Sequence, residues 1–151
     1  MSDLETSETS LTIHRTFDAP REGVFRAFTE REELEEWFAP SPGDVTTEVE
    51  AFTPEPDGER SIRFHTDDEW FGSDGVFEDV VENERIVYTD QWINFPEADV
   101  DSRVTVEFTD VEAGTAVVLT HEQLPEGDFV GGAGMGWEIS FDNLADVVEE
   151  A

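Results

Sequence analysis

The segment Gly134-Met135-Gly136-Trp137-Glu138-Ile139-Ser140-Phe141-Asp142-Asn143-Leu144-Ala145-Asp146-Val147-Val148 decides how the rest of the chain is read. On a helix turning about 100° per residue, Val130, Gly134, Trp137, Phe141, Leu144 and Val148 fall on one stripe. Glu138, Asp142, Asp146, Glu149 and Glu150 fall on the other side, and no proline interrupts the run. At about 1.5 Å per residue, some twenty residues reach roughly 30 Å, the width of a small domain. A helix with a single apolar stripe needs a surface to lie on. The expectation is a long C-terminal helix laid across one curved sheet, with Trp137 and Phe141 over whatever space separates the two. Gly127, Gly131, Gly132, Gly134 and Gly136 lower the helix propensity at its start. Either the helix begins late, near Met135, or this stretch is a flexible gate at a cavity mouth.

The chain ahead of that helix supplies the sheet. Residues 1–9 read as a flexible acidic tail and residues 10–151 as one domain. Leu11, Ile13, Arg15 and Phe17 alternate with Thr12, His14 and Thr16, a first strand. Asp18 is placed to cap a short helix with Pro20 in its first turn, and Val24, Phe25, Ala27 and Phe28 give that helix an apolar side. Thr29-Glu30-Arg31-Glu32 has the capping-box pattern and opens a second helix carrying Leu34, Trp37 and Phe38. Ala39-Pro40-Ser41-Pro42-Gly43 ends it. From Val45 the period is two. Strands are expected around Val45–Val49, Ile62–Thr66, Trp70–Val81, Arg85–Ile93, Val104–Phe108 and Thr115–His121. They are separated by Pro54-Glu55-Pro56-Asp57-Gly58, Asp67-Asp68-Glu69, Glu82-Asn83-Glu84, the loop 94–99 and Asp110-Val111-Glu112-Ala113-Gly114. The order is one strand, two short helices, about six strands and one long helix. That is an α+β fold with an antiparallel meander.

Charge sets the working conditions. Asp and Glu number 39 against 8 basic residues, all of them Arg, for a formal net charge of -31. In ordinary salt such like charge destabilises a compact state, whereas at molar salt the Debye length is only about 3 Å. With 37% of residues hydrophobic and periodically placed, the chain reads as a folded protein of a salt-in halophile. Mimicry of nucleic acid is disfavoured, because the acids are spread over every element. Nucleic-acid binding lacks the basic patch it needs. There is no cysteine, so thiolate metal sites and thiol nucleophiles are excluded. The acidic start is not a signal peptide, and no run approaches the roughly 18 apolar residues of a membrane span. A cytoplasmic protein, monomer or homodimer, is expected.

Phe17-Asp18-Ala19-Pro20, Val24-Phe25-Arg26-Ala27-Phe28-Thr29 and Leu34-Glu35-Glu36-Trp37-Phe38 resemble the opening of the START-like (SRPBCC) superfamily. Gly75 to Thr89 resembles its central hairpin. Gly114 to His121, followed by Gly136-Trp137-Glu138, resembles its closing strand and helix. The branch is the one named after the activator of the ninety-kilodalton heat-shock chaperone ATPase, and the likeness covers residues 11 to about 150. It implies a helix-grip fold: a seven-stranded antiparallel sheet wrapped around the C-terminal helix, two short helices between strands 1 and 2, and a cavity between sheet and helix. The superfamily includes lipid carriers, hormone receptors, cyclases, aromatases and co-chaperone domains, so the resemblance does not fix an activity. One departure is Asp57-Gly58-Glu59-Arg60, where the family often has paired glycines.

Trp37, Phe64, Trp70, Tyr88, Trp92, His121, Trp137 and Phe141 are the candidate ligand-binding residues, an aromatic lining with polar tips. Taken singly, each also fits ordinary core packing. Phe38 and Phe71 are candidates to face outward. His121 shares the inward phase of Val117 and Leu119. It is either a buried structural histidine or the weak candidate for a general acid or base, with Tyr88 or Asp90 beside it. His14 and His65 lie in outward phases and read as surface residues; three scattered histidines give no metal-binding spacing, and no cofactor is implied. Asp67-Asp68-Glu69 lacks a calcium-loop pattern and reads as a solvated turn. Arg15 faces inward, either towards a ligand carboxylate or paired with an acid. Arg63 and Arg103 face outward. Met135 and Ile139, four apart on the outer side of the long helix, are either a contact patch or covered by neighbouring chain. The expected function is binding of a small hydrophobic or amphipathic ligand without catalysis. A cyclase or aromatase using the same cavity, or a co-chaperone or stress-response module, are the alternatives.

Overall fold

In the computed structural model, which describes residues 3–39, 45–94, 100–127 and 129–149, the period-two stretches pair into one antiparallel sheet. The elements are β1 (Asp3–Thr6), β2 (Leu11–Phe17), α1 (Arg21–Thr29), α2 (Arg31–Trp37), β3 (Thr46–Phe52), β4 (Glu59–His65), β5 (Trp70–Val81), β6 (Arg85–Ile93), β7 (Asp101–Val111), β8 (Gly114–Glu122) and α3 (Phe129–Glu149). The strand order is β1-β2-β8-β7-β6-β5-β4-β3. β3 to β8 are a meander, and β2 closes it by pairing with β8 from Leu11↔His121 to Phe17↔Thr115. Alternation puts Ile13, Phe17, Val49, Ile62, Phe77, Ile86, Val104, Val106, Val117 and Leu119 on one inner face, all buried. The three helices cover that face. Val24, Phe25, Ala27 and Phe28 of α1 are buried, as are Leu34 and Trp37 of α2.

Among the described residues the sheet has eight strands, where seven were expected. The extra one lies in the segment expected to be a free acidic tail: Asp3–Thr6 pairs with β2, Leu4 opposite Ile13. All four residues are exposed, so no alternating burial pattern marks them in the sequence. The open edge of β2 supplies the hydrogen bonds. Leu4 gives the strand an apolar contact, lying so close to Gly134 of α3 that a Cβ there would sit 3.1 Å from Leu4 Cδ2.

α3 begins at Phe129, ahead of its glycines, so the late start near Met135 does not occur. The stripe of Val130, Gly134, Trp137, Phe141, Leu144 and Val148 is buried along its length. The two expected caps are absent. Pro20 and Glu30 occupy the N-cap positions of α1 and α2, and neither makes a side-chain cap bond. Glu30 alone separates the helices, so Thr29 is still helical and donates its hydroxyl back to the Phe25 carbonyl at 3.1 Å. Asp18 instead uses its backbone N–H on Glu149 Oε2, 3.1 Å away. The Pro54–Gly58 turn is confirmed: Asp57 has φ 69°, and a Cβ on Gly58 would meet the Thr53 carbonyl oxygen at 1.9 Å. Residues 40–43 of the connection after α2, and 95–99 of the loop after β6, lie outside the described residues.

Candidate functional site

The inner face carries a polar row as well as an apolar one. Five consecutive strands each contribute one inward polar side chain: Arg60 from β4, Ser73 from β5, Asp90 from β6, Ser102 from β7 and His121 from β8, all buried. Arg60 Nη1 donates to Ser73 Oγ at 2.8 Å, and Ser73 donates to Asp90 Oδ1. Trp92 Nε1 donates to Asp90 Oδ2 at 3.2 Å. Ser102 Oγ donates to the Asp90 carbonyl at 2.8 Å and lies 2.8 Å from His121 Nε2. Trp137 Nε1, reaching down from α3, donates to His121 Nδ1 at 3.0 Å.

That last bond assigns the imidazole tautomer. An indole N–H can only donate, so Nδ1 must be the bare nitrogen and Nε2 carries the proton. Nε2–H then donates to Ser102, whose own proton is committed to the Asp90 carbonyl. Asp90 Oδ2, 3.4 Å from Nε2, lies on the same side of the ring. A nucleophile relay needs the serine and the carboxylate on opposite ring nitrogens. This arrangement cannot serve as one. Both imidazole nitrogens are occupied by protein, and burial is the first cause holding the His121 pKa below its ordinary value, with Arg60 adding to it and Asp90 opposing.

The pH dependence follows in sign. Below pH about 6.5 the unfolded chain takes up a proton on His121 that the fold resists, so this group's stabilisation is present above that pH and lost below it. The stability gap between the wild type and His121→Gln is expected to narrow as pH falls from about 7.5 to 5. Urea unfolding of both proteins at fixed salt checks it, the comparison cancelling the titration of the surface acids.

Next to the polar row is a cavity of about 10 Å³, lined by aromatic and aliphatic side chains with one charged group, Arg60. Its lining includes Trp37, Phe38, Ile86, Tyr88 and Trp137. Such a volume holds about one water. Trp137 and Phe38 close it by stacking, ring centroids 5.3 Å apart and planes at 17°. The Arg60 guanidinium lies 4.0 Å from the Tyr88 ring centre and 5.5 Å from that of Phe38. Burial pushes the Tyr88 phenol well above its ordinary pKa, so the hydroxyl is neutral at any working pH.

The eight expected lining residues separate into groups. Trp37, Tyr88 and Trp137 line the cavity. Phe64 is one layer out, edge-on to Phe38 at 5.3 Å. Phe141 is sealed beneath Trp137, and His121 is closed off as described. Trp92 is half-buried, 6.2 Å from Phe129. Trp70 is not at the site. It pairs with the outward His65, so it shares that residue's face, is 41% exposed, and lies over the Arg63 guanidinium at 5.5 Å. Phe38 corrects the reverse way: it is buried and closes the cavity. Arg15 faces inward but is held by Asp142 of α3 at 2.5 Å. Met135 is 53% exposed. Among the described residues no cluster of His, Asp or Glu could hold a metal ion.

Arg60 is the residue that sequence reading passed over. It stands two before Ile62 and four before Phe64, so the alternation that turns those two inward also turns Arg60 inward. Its position beside the Asp57-Gly58 turn disguised it as loop. Ser73 and Ser102 were missed because a serine on a strand carries no signal of its own.

A family model described as activator of Hsp90 ATPase homolog 1-like protein matches residues 18–149. A crystal structure of a protein from Chromobacterium violaceum is 24% identical, with a TM-score of 0.87 over 95% of this chain and 99% of that one. A solution structure from Arthrobacter aurescens is 17% identical, TM-score 0.84, over 99% and 92%. A putative uncharacterized protein from Rhizobium leguminosarum is 27% identical, TM-score 0.71, over 100% and 99%. No curated protein matches the chain.

Proposed function

Because the chain belongs to the activator of Hsp90 ATPase homolog 1-like family, the α+β helix-grip branch that its sequence resembles, we propose that it binds a small amphipathic molecule between the sheet and the start of α3. The observation that carries this reading is an aromatic-walled cavity with one buried guanidinium in its wall. A ligand of ordinary size requires Trp137 and Phe38 to part. The start of α3 is the segment suited to that movement. It holds four glycines, Gly131, Gly132, Gly134 and Gly136, each weaker than alanine in a helix by about 1 kcal/mol. Gly131 and Gly132 face open space, since a Cβ at either would meet nothing within 4 Å. A cyclase or aromatase role for His121 receives less support, since neither of its nitrogens is available to a substrate.

N-phenylnaphthylamine, an uncharged fluorescent probe, tests the reading in about 2 M KCl, where surface charge is screened. Fluorescence is expected to rise and saturate at one probe per chain. A weak, non-saturating rise would count against an interior site.

A further inference from the structure

A buried cation facing a cavity with most of its donors unused calls for an acceptor. Arg60 is 4% exposed. Among the described residues its guanidinium makes one hydrogen bond, Nη1 to Ser73 at 2.8 Å. A guanidinium offers five N–H donors in a planar fork, so most of this one's capacity is unspent. Arg63, on the other face of the same strand, shows the contrast: its guanidinium bonds both oxygens of Asp74 and the Ile62 carbonyl, with a Glu50 oxygen 3.8 Å from Nε. Arg60 has only the aromatic faces of Tyr88 and Phe38 beside it. Stacking occupies the face of a guanidinium and leaves its edge for in-plane hydrogen bonds.

The geometry points to Arg60 as an anion subsite, and to a ligand that joins an aromatic or otherwise flat apolar body to a carboxylate. This rests on the cavity reading above and names the class of molecule the cavity takes. The carboxylate matches the fork with two parallel bonds, which a single carbonyl cannot do. Asp90 does not pre-empt the site. Its oxygens are taken by Ser73 and Trp92, and it meets Arg60 only through the Ser73 hydroxyl. The flat body would lie among Phe38, Tyr88 and Trp137, the rings that now meet over the cavity. The strongly negative surface does not forbid an anionic ligand, because at molar salt its field extends only about 3 Å.

Naphthylacetate and its uncharged twin naphthylacetamide, titrated calorimetrically into the protein in about 2 M KCl, separate the claims. The acid is expected to bind at least tenfold tighter than the amide, and Arg60→Met, shown to be folded by circular dichroism, to bind the two alike. Equal affinity of acid and amide for the wild type overturns the anion subsite and leaves the cavity, as would be found if one buried water satisfied Arg60. A preference that survives in Arg60→Met overturns it too. If neither of these compounds nor N-phenylnaphthylamine binds the wild type, the cavity reading fails and the subsite with it. Should Arg60→Met not fold, the acid-to-amide ratio in the wild type decides alone.

Discussion

Phe141→Ala is expected to destabilise the protein by about 3–5 kcal/mol, the range for removing a fully buried aromatic ring. Phe141 has no exposed surface and stands where the helix stripe, the sheet and α1 converge. Its ring is edge-on to Phe17 at 5.7 Å, to Phe28 at 6.4 Å and to Trp137 at 6.0 Å. Nothing nearby is free to fill the void, since Phe28 is itself held by Phe108 and Trp37. Trp70→Ala, by contrast, removes a larger ring from the outer face and is expected to change stability by less than about 1 kcal/mol. Denaturant unfolding of the two variants at high salt compares them directly. Similar losses for both would contradict the assignment of faces.

A second large effect is expected from salt. The 39 acidic residues against 8 arginines leave a formal charge of -31. The ion pairs of Arg85 with Asp79 and Arg103 with Glu78 are half-exposed and relieve little of it. In dilute buffer the like charges repel across the whole surface and favour the expanded chain. Raising KCl to about 2 M is expected to shift the folded-to-unfolded ratio more than tenfold towards the fold, as screening shortens to a few ångströms. Circular dichroism across a KCl series measures it. Highest stability in dilute buffer would end the proposal that this is a protein adapted to a salt-rich cytoplasm.

The two predictions draw on different depths of information. The stripe of α3 was legible because a helix repeats its face every three to four residues, and six buried positions from Val130 to Val148 report the same fact. The strands of the meander were legible for the same reason at period two. β1 was not, because Asp3–Thr6 has no buried face to report. Its pairing comes from the open edge of β2 and from one leucine against one glycine. The caps failed through spacing: with Glu30 alone between α1 and α2, the residue type at Thr29 could not matter. At the site, the aromatic members were readable as a set but not sortable, since Trp70 and Phe71 are equally good strand residues and only pairing register tells which face each takes. Arg60 was hidden by its charge, although its phase with Ile62 and Phe64 was available.

The central claim is that a small amphipathic ligand enters beneath the leading end of α3, between Trp137 and the sheet. The four indole N–H resonances give the most direct reading, because the chain has four tryptophans. Trp37 and Trp137 line the cavity, and Trp70 lies on the opposite face of the sheet. On titration with N-phenylnaphthylamine, the Trp37 and Trp137 indole signals are expected to move together and saturate, with Trp70 unmoved. A shift confined to Trp70, or no shift at any indole, would contradict the account.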